Sequence, residues 1–344
     1  MTRNRLLPPG EGNPRNSEGD FVELADGRLL FVYTRFTGGT SDHAEAHLAG
    51  RYSSDGGLTW TDEDVEILAN EGGMNVMSVS LLRLADGRIA LFYLRKNAID
   101  DCRPFLRYSS DEGATWSEPT EILPADGGYY VLNNDRVVEL KGGRLVVPLA
   151  KHGTIDGKHT PAEALCYLSD DGGATWRRSE TVLAPPADSK TGLQEPGVVA
   201  LSDGRLLMFS RTDQGRQYFS HSEDEGGTWS EAEPGTLVSP VSPATIERIP
   251  STGDLLAIWN DHTEIASQLE GKRTPLTAAI SRDDGATWEN LRTLEDDPDG
   301  WYCYTAMHFA GDRVVLGHCA GNREIGGLNL TQVTTFPVDW IYSR

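Results

Sequence analysis

Apolar residues in this chain come in short paired runs, and each pair is broken by a glycine-bearing tight turn. The first pair reads EGDFVELADGRLLFVYTR (Glu18–Arg35); others follow at Val76–Arg95, Leu132–Lys151, Glu195–Arg211, Ser242–Asp261 and Tyr304–Cys319. Runs of this kind, rich in Val, Ile, Leu, Phe and Tyr and joined by DGR, GGR or GD, predict β-hairpins. Almost no stretch carries the period of a helix.

A second pattern, Ser-x-Asp-x-Gly-x-Thr-Trp, falls between the hairpins at Ser53–Trp60, Ser109–Trp116, Ser169–Trp176, Ser222–Trp229 and Ser281–Trp288. Its copies start 56, 60, 53 and 59 residues apart. The residues are those of a tight turn between strands. Asp accepts hydrogen bonds from nearby backbone N–H groups, Gly tolerates positive φ, and Thr-Trp opens the next strand. The aspartate is therefore a fold marker and not a catalytic acid. Six hairpins, five of them followed by this turn, predict six four-stranded units. That is the arithmetic of an all-β, six-bladed β-propeller, with residues 1–344 as one domain. The last unit lacks the marker, and its outer strands are expected at Leu328–Thr335 and Val338–Tyr342.

Propeller geometry converts the pattern into a site. The innermost strand of each unit lines a central channel; its start, and the end of the strand that follows, open on one face. That face would gather Ser17, Glu18, Asn134, Glu195 and Tyr304 from strand starts. From strand ends it would gather Arg35, Arg95, Lys96, His152, Arg211, His318 and Cys319. Ionisable and amide groups converging at one end of a rigid channel predict a polar-ligand site.

Charge narrows the ligand. Lys and Arg number 31 against 52 Asp and Glu, a formal net charge of −21. Such acidity argues against nucleic acid and anionic membranes as partners, so an anionic ligand has to be caught by a local arginine cluster. No stretch reaches transmembrane length, and the first residues lack the apolar segment of a signal peptide. The four cysteines show no metal-binding spacing and read as reduced thiols of a cytoplasmic protein. No metal or other cofactor is expected.

With these motifs the chain resembles the sialidase (neuraminidase) superfamily, whose Asp-box, or BNR, repeats correspond to the five marker turns. The Glu195–Arg211 hairpin is similar to the family segment carrying the catalytic glutamate and the second carboxylate-binding arginine. KRTPLTAAISRDDGAT (Lys272–Thr287) is similar to the segment carrying the third arginine, here Arg273. YTAM at Tyr304 resembles the motif of the nucleophilic tyrosine, with Tyr302 as a rival. RFTGGTSDHAEA (Arg35–Ala46) resembles the loop holding an arginine and the acid/base aspartate, here Arg35 and Asp42. The resemblance implies a retaining exo-glycosidase acting on a terminal acidic sugar of a glycan. Glu195 would take the proton of Tyr304, Asp42 would protonate the leaving oxygen, and Arg211 and Arg273 would hold the sugar carboxylate. A neutral phenol avoids the repulsion that a carboxylate nucleophile would meet from that group. Glu18, Arg35, Arg95, Asn134, His152 and Tyr302 are expected to contact substrate.

One corner departs from the family. Its first-blade arginine has no counterpart in NSEGD, where Ser17 or Glu18 stands and Arg15 lies two residues early. The sixth-blade glutamate that braces that arginine is replaced by His318 and Cys319. Losing both partners leaves no orphan charge and widens the expected substrate from sialic acid to related acid sugars. Two other functions fit the same mouth. One is a lyase on uronate-containing polysaccharide, using a His or Tyr base among His152, His262, Tyr129 and Tyr130. The other is a glycan-binding propeller without activity.

Overall fold

The computed structural model describes residues 1–123, 127–155 and 158–343. Consecutive strands pair antiparallel in chain order. The first unit is Arg15–Glu23, Leu29–Phe36, Ala46–Ser53 and Val65–Leu68. The second is Asn75–Arg83, Ile89–Ala98, Asp101–Ser109 and Thr120–Glu121. The third is Val138–Glu139, Leu145–His152, Glu163–Ser169 and Arg177–Arg178. Strand Tyr129–Val131 pairs with both neighbours and stitches these two units into one sheet. The fourth is Gln194–Ala200, Leu206–Arg211, Arg216–Ser222 and Glu233–Val238. The fifth is Thr245–Arg248, Leu255–Trp259, Leu276–Ser281 and Glu289–Glu295.

The sixth unit differs from its sequence reading. It consists of Gly300–Ala310, Arg313–Asn322 and Thr331–Pro337, and its outer strand is the N-terminal Thr2–Leu7. Val338–Tyr342 is a short helix instead. Val338 and Ile341, three positions apart, are buried on one side of that turn, and Pro337 ends strand pairing by removing a donor. Thr2–Leu7 supplies the edge partner, so the first and last segments of the chain are hydrogen-bonded in one sheet.

The second strands are buried almost end to end, as in Leu29–Phe36 and Leu145–His152. A sheet covered on both faces by neighbouring sheets needs apolar residues on both, which explains continuous runs in place of strict alternation. The core accordingly lies between successive units. Val32 and Leu48 pack with Val79 and Leu91 between the first and second. Val146 and Leu168 meet Val198 and Met208 between the third and fourth. Phe21 and Phe31 meet Ala306, Val315 and Val333, so the last unit packs back on the first. This ring of sheets is consistent with the six blades expected.

The marker turns share one hydrogen-bond scheme. In the second, Asp111 accepts from Thr115 N at 2.8 Å and Thr115 Oγ1 at 2.6 Å, while the buried Ser109 Oγ accepts from Gly113 N at 2.8 Å. These carboxylates are spent on their own turns. Ser109→Ala should therefore cost about 1–2 kcal/mol by leaving a buried N–H unpaired. The urea midpoint would report it, and no shift would show that the turn holds without the hydroxyl.

Candidate active site

Four innermost strands share a local irregularity. Pairing with the second strand slips between Ser17 and Asp20, Met77 and Ser80, Gln194 and Gly197, and Cys303 and Ala306. At each slip one residue has a left-handed backbone: Glu18 (φ 57), Ser78 (φ 61), Glu195 (φ 49) and Tyr304 (φ 54). Asp135 of the third unit does the same at φ 56. Non-glycine residues hold this conformation only against strain that the surrounding fold overrides, typically at functional sites. Gly197 helps set the bend at Glu195, since a Cβ there would stand 2.3 Å from the Phe209 ring.

The bulges bring the best-matched residues together. Arg211 Nη1 donates to both oxygens of Glu195 at 2.7 Å. Tyr304 Oη donates to Glu195 Oε1 at 3.2 Å. The Arg273 guanidinium sits 5.3 Å from the Tyr304 ring on one side and 5.4 Å from the Trp301 ring on the other. It is 8% exposed, forms no ion pair among the described residues, and its Nη1 has no hydrogen-bond partner. Burial, and then the charge of Glu195, push the Tyr304 phenol well above its usual range, against the pull of Arg273 and Arg211. A phenol in that state is a poor nucleophile unless a base takes its proton, and the Glu195 carboxylate is within hydrogen-bond reach.

The first-unit corner is a charge network. Arg15 is 1% exposed and donates to Asp42 Oδ1 at 2.5 Å, to Glu18 Oε1 at 3.1 Å and to Ser17 Oγ at 3.0 Å. Ser78 Oγ donates to the other Glu18 oxygen at 3.2 Å. Lys96, 2% exposed, donates to the backbone oxygen of Asp42 at 2.9 Å. Burial raises Asp42, but the charge and hydrogen bond of Arg15 outweigh it and hold this carboxyl below its ordinary value. Glu18 is pushed up to about 7, by burial first, with Arg15 opposing and Asp42 and Glu195 adding to the rise.

A carboxyl whose folded pKa lies above its unfolded one stabilises the fold least where it is ionised. For Glu18 the contribution is complete below about pH 4.5 and is lost as pH rises through about 7. Asp135, raised to about 6 by burial, acts in the same direction. Seven histidines held low by burial pull the parent's own slope the other way, so the difference between parent and variant carries the signal: relative to the parent, Glu18→Gln should raise the melting temperature more near pH 8 than near pH 5.5. Scanning calorimetry of both proteins at the two pH values decides it; a difference that is equal at both, or larger at pH 5.5, would contradict the assignment.

Of the other expected contacts, Arg35 and Arg95 turn to other partners. Arg35 pairs with Asp64 at 3.1 Å, and Arg95 lies over the Phe105 ring at 3.7 Å beside Glu71. The reason is register. Arg211 stands opposite Gln194, the residue before the left-handed glutamate, whereas Thr34 and Leu94 hold that place in the first two units. Arg35 and Arg95 come one residue later and so face the outer strands. Tyr302 is packed in the core between the fifth and sixth units with Ile258 and Leu316. Asn134 is buried and spans the channel, its Nδ2 donating to Gly19 O at 2.9 Å and Tyr304 O at 3.1 Å, a brace under both bulges. His152 Nδ1 lies 3.1 Å from Thr160 O, and its ring packs edge-on against Tyr129. Arg15 and Lys96 were not assigned roles from the sequence. For Lys96 the strand alternation that sends Arg95 outward sends its neighbour inward. Among the described residues no group of three or more His, Cys, Asp or Glu could hold a metal ion.

Comparison with known proteins bears on the family and the fold. The model of the BNR repeat-like domain matches residues 36–316. A sialidase of Micromonospora viridifaciens is 28% identical over 334 residues, covering 85% of this chain and 50% of its own. The chain spans about half the length of the curated relatives it matches. Among solved structures, a Dyadobacter fermentans protein of unknown function superimposes with a TM-score of 0.76 at 18% identity, covering 96% of this chain and 97% of that one. A leech intramolecular trans-sialidase complexed with 2,7-anhydro-Neu5Ac superimposes at 0.75 and 15% identity, covering 99% and 71%. At these identities the structural likeness speaks for the fold.

Proposed function

Since the chain belongs to the BNR-repeat sialidase superfamily, we propose that it is a retaining exo-glycoside hydrolase releasing a terminal acidic sugar, sialic acid or a relative, from a glycan. The observation that carries this reading is the Tyr304–Glu195 hydrogen bond beside the desolvated Arg273, whose Nη1 has no hydrogen-bond partner. Arg273 offers its free donors to the sugar carboxylate, and Arg211, already bridging both oxygens of Glu195, fixes the base. Tyr304 Oη attacks the anomeric carbon while Glu195 takes its proton, so a neutral nucleophile approaches a carbon that bears a carboxylate. Asp42, more than half exposed, gives a proton to the leaving oxygen and in the second step takes one from water. Substrate entering this corner competes with Asp42 for the donors of Arg15, which frees the carboxyl to hold that proton.

Electrostatics support an anionic substrate. In a chain of net charge −21, this mouth gathers Arg15, Lys96, Arg211 and Arg273 against Glu18, Asp42 and Glu195. One carboxylate ligand completes the balance. The test is release of phenol from aryl glycosides of sialic acid, its deaminated analogue and uronic acids. Turnover of at least one is expected. No turnover of any, together with new absorbance near 235 nm on polyuronates, would replace the reading with a lyase.

A further inference from the structure

Next to Asp42, the second and third units build a cluster that the steps above do not use. Lys96 is 2% exposed, yet its ammonium makes one hydrogen bond, to the backbone oxygen of Asp42 at 2.9 Å, and no ion pair among the described residues. It stands 5.5 Å over the Tyr129 ring. That ring also meets His152, at 6.0 Å between centroids, and His159, at 4.2 Å, the latter on the strand Lys158–His159 that pairs with Thr154–Ile155. His43, exposed beside Asp42 on the first unit, is close enough to feel both Lys96 and His159. An ammonium taken out of water with spare donors is costly unless a ligand oxygen meets it. Tyr129 acts as the pillar that holds Lys96 and His159 in place, and the two imidazoles stand at the open edge.

We propose that Lys96, His159 and His43 form a subsite for the leaving-group sugar, selecting a unit that bears an oxyanion, a carboxylate or a sulfate. The inference rests on the hydrolase reading, because the cluster adjoins the carboxyl that would protonate the leaving oxygen. Its chemistry is a buried cation flanked by two hydrogen-bonding rings. Burial and the charge of Lys96 hold both His43 and His159 below the usual histidine value, with Asp42 pulling His43 the other way. At neutral pH the rings donate as neutral imidazoles, and the fixed charge comes from Lys96.

The experiment uses the full chain with Tyr304→Phe, so that substrates bind without being cleaved. Calorimetric titration compares three probes: the free acid sugar, that sugar linked to a neutral hexose, and that sugar linked to a uronic acid. The expected result is about tenfold tighter binding of the uronate-linked probe, falling to near parity when Lys96→Met or the exposed His159→Ala is added. Equal binding of the two disaccharides, with the free sugar still bound, would overturn the subsite and leave the hydrolase reading standing. A preference that survives both substitutions would also overturn it. If none of the three probes binds, the hydrolase reading and the subsite fall together.

Discussion

Tyr304→Phe is expected to lower turnover of the acid-sugar aryl glycoside by at least three orders of magnitude while the protein folds and binds as before. Loss of a nucleophile from a group of residues that act as a unit removes on the order of 10⁴–10⁶ in kcat. The change is small in every other respect. Phenylalanine keeps the ring beside Arg273 and the left-handed backbone that the bulge imposes at φ 54. It removes only the hydroxyl that donates to Glu195 at 3.2 Å. Glu195 stays paired with Arg211, so no buried charge is orphaned and the melting temperature should move by a few degrees at most. The same change at Tyr302, buried in the core, registers in stability and not in chemistry. Initial rates on the aryl glycoside and titration of the free sugar separate the two effects. Turnover within tenfold of the parent would remove Tyr304 as nucleophile.

The repeat pattern made most of the fold legible. Hairpin turns and Ser-x-Asp-x-Gly-x-Thr-Trp turns are local chemistry, written in adjacent residues, and the first, second, fourth and fifth units follow them strand by strand; the third adds Tyr129–Val131, which no turn motif announces. The sixth could not be read the same way, because its outer strand is Thr2–Leu7, more than 320 residues from Thr331–Thr335 in sequence. The site divides along the same line. Glu195, Arg211, Arg273 and Tyr304 come together because each sits at a bulge, a strand end or a strand-capping loop, with a motif around it. Arg35 and Arg95 look equivalent to Arg211 but lie one residue further along. Glu18 to Arg35 spans 17 positions and Glu195 to Arg211 spans 16, and in a strand one position exchanges faces. The link from Arg15 to Glu18 and Asp42 was beyond reach, since it depends on where a loop from Thr37 to Glu45 folds back over the channel.

Arg273 invites a substitution that separates stability from function. Its guanidinium is held between Trp301 and Tyr304, has no carboxylate partner among the described residues, and leaves Nη1 without a hydrogen bond. Burial works against this cation, but Cys303, Tyr304 and Glu195 around it outweigh that and favour the charged form. Arg273→Met removes both effects at once, so the melting temperature should move by only a few degrees. The same change deletes the donor set that the proposed carboxylate requires. A bidentate, charge-assisted contact in a desolvated site is worth about 3–4 kcal/mol, so affinity for the acid sugar should fall by about two to three orders of magnitude. Arg273→Lys should recover little of it, because a compact ammonium neither fills the slot between two rings nor presents two parallel donors. Stability and binding move apart only if this arginine is kept for the ligand. If Arg273→Met melts well below the parent, the guanidinium is structural; if it binds the acid sugar within threefold of the parent, the carboxylate is held elsewhere. A desolvated arginine with a spare donor, facing the phenol that is hydrogen-bonded to Glu195, is the pattern expected of a group selected for what it binds.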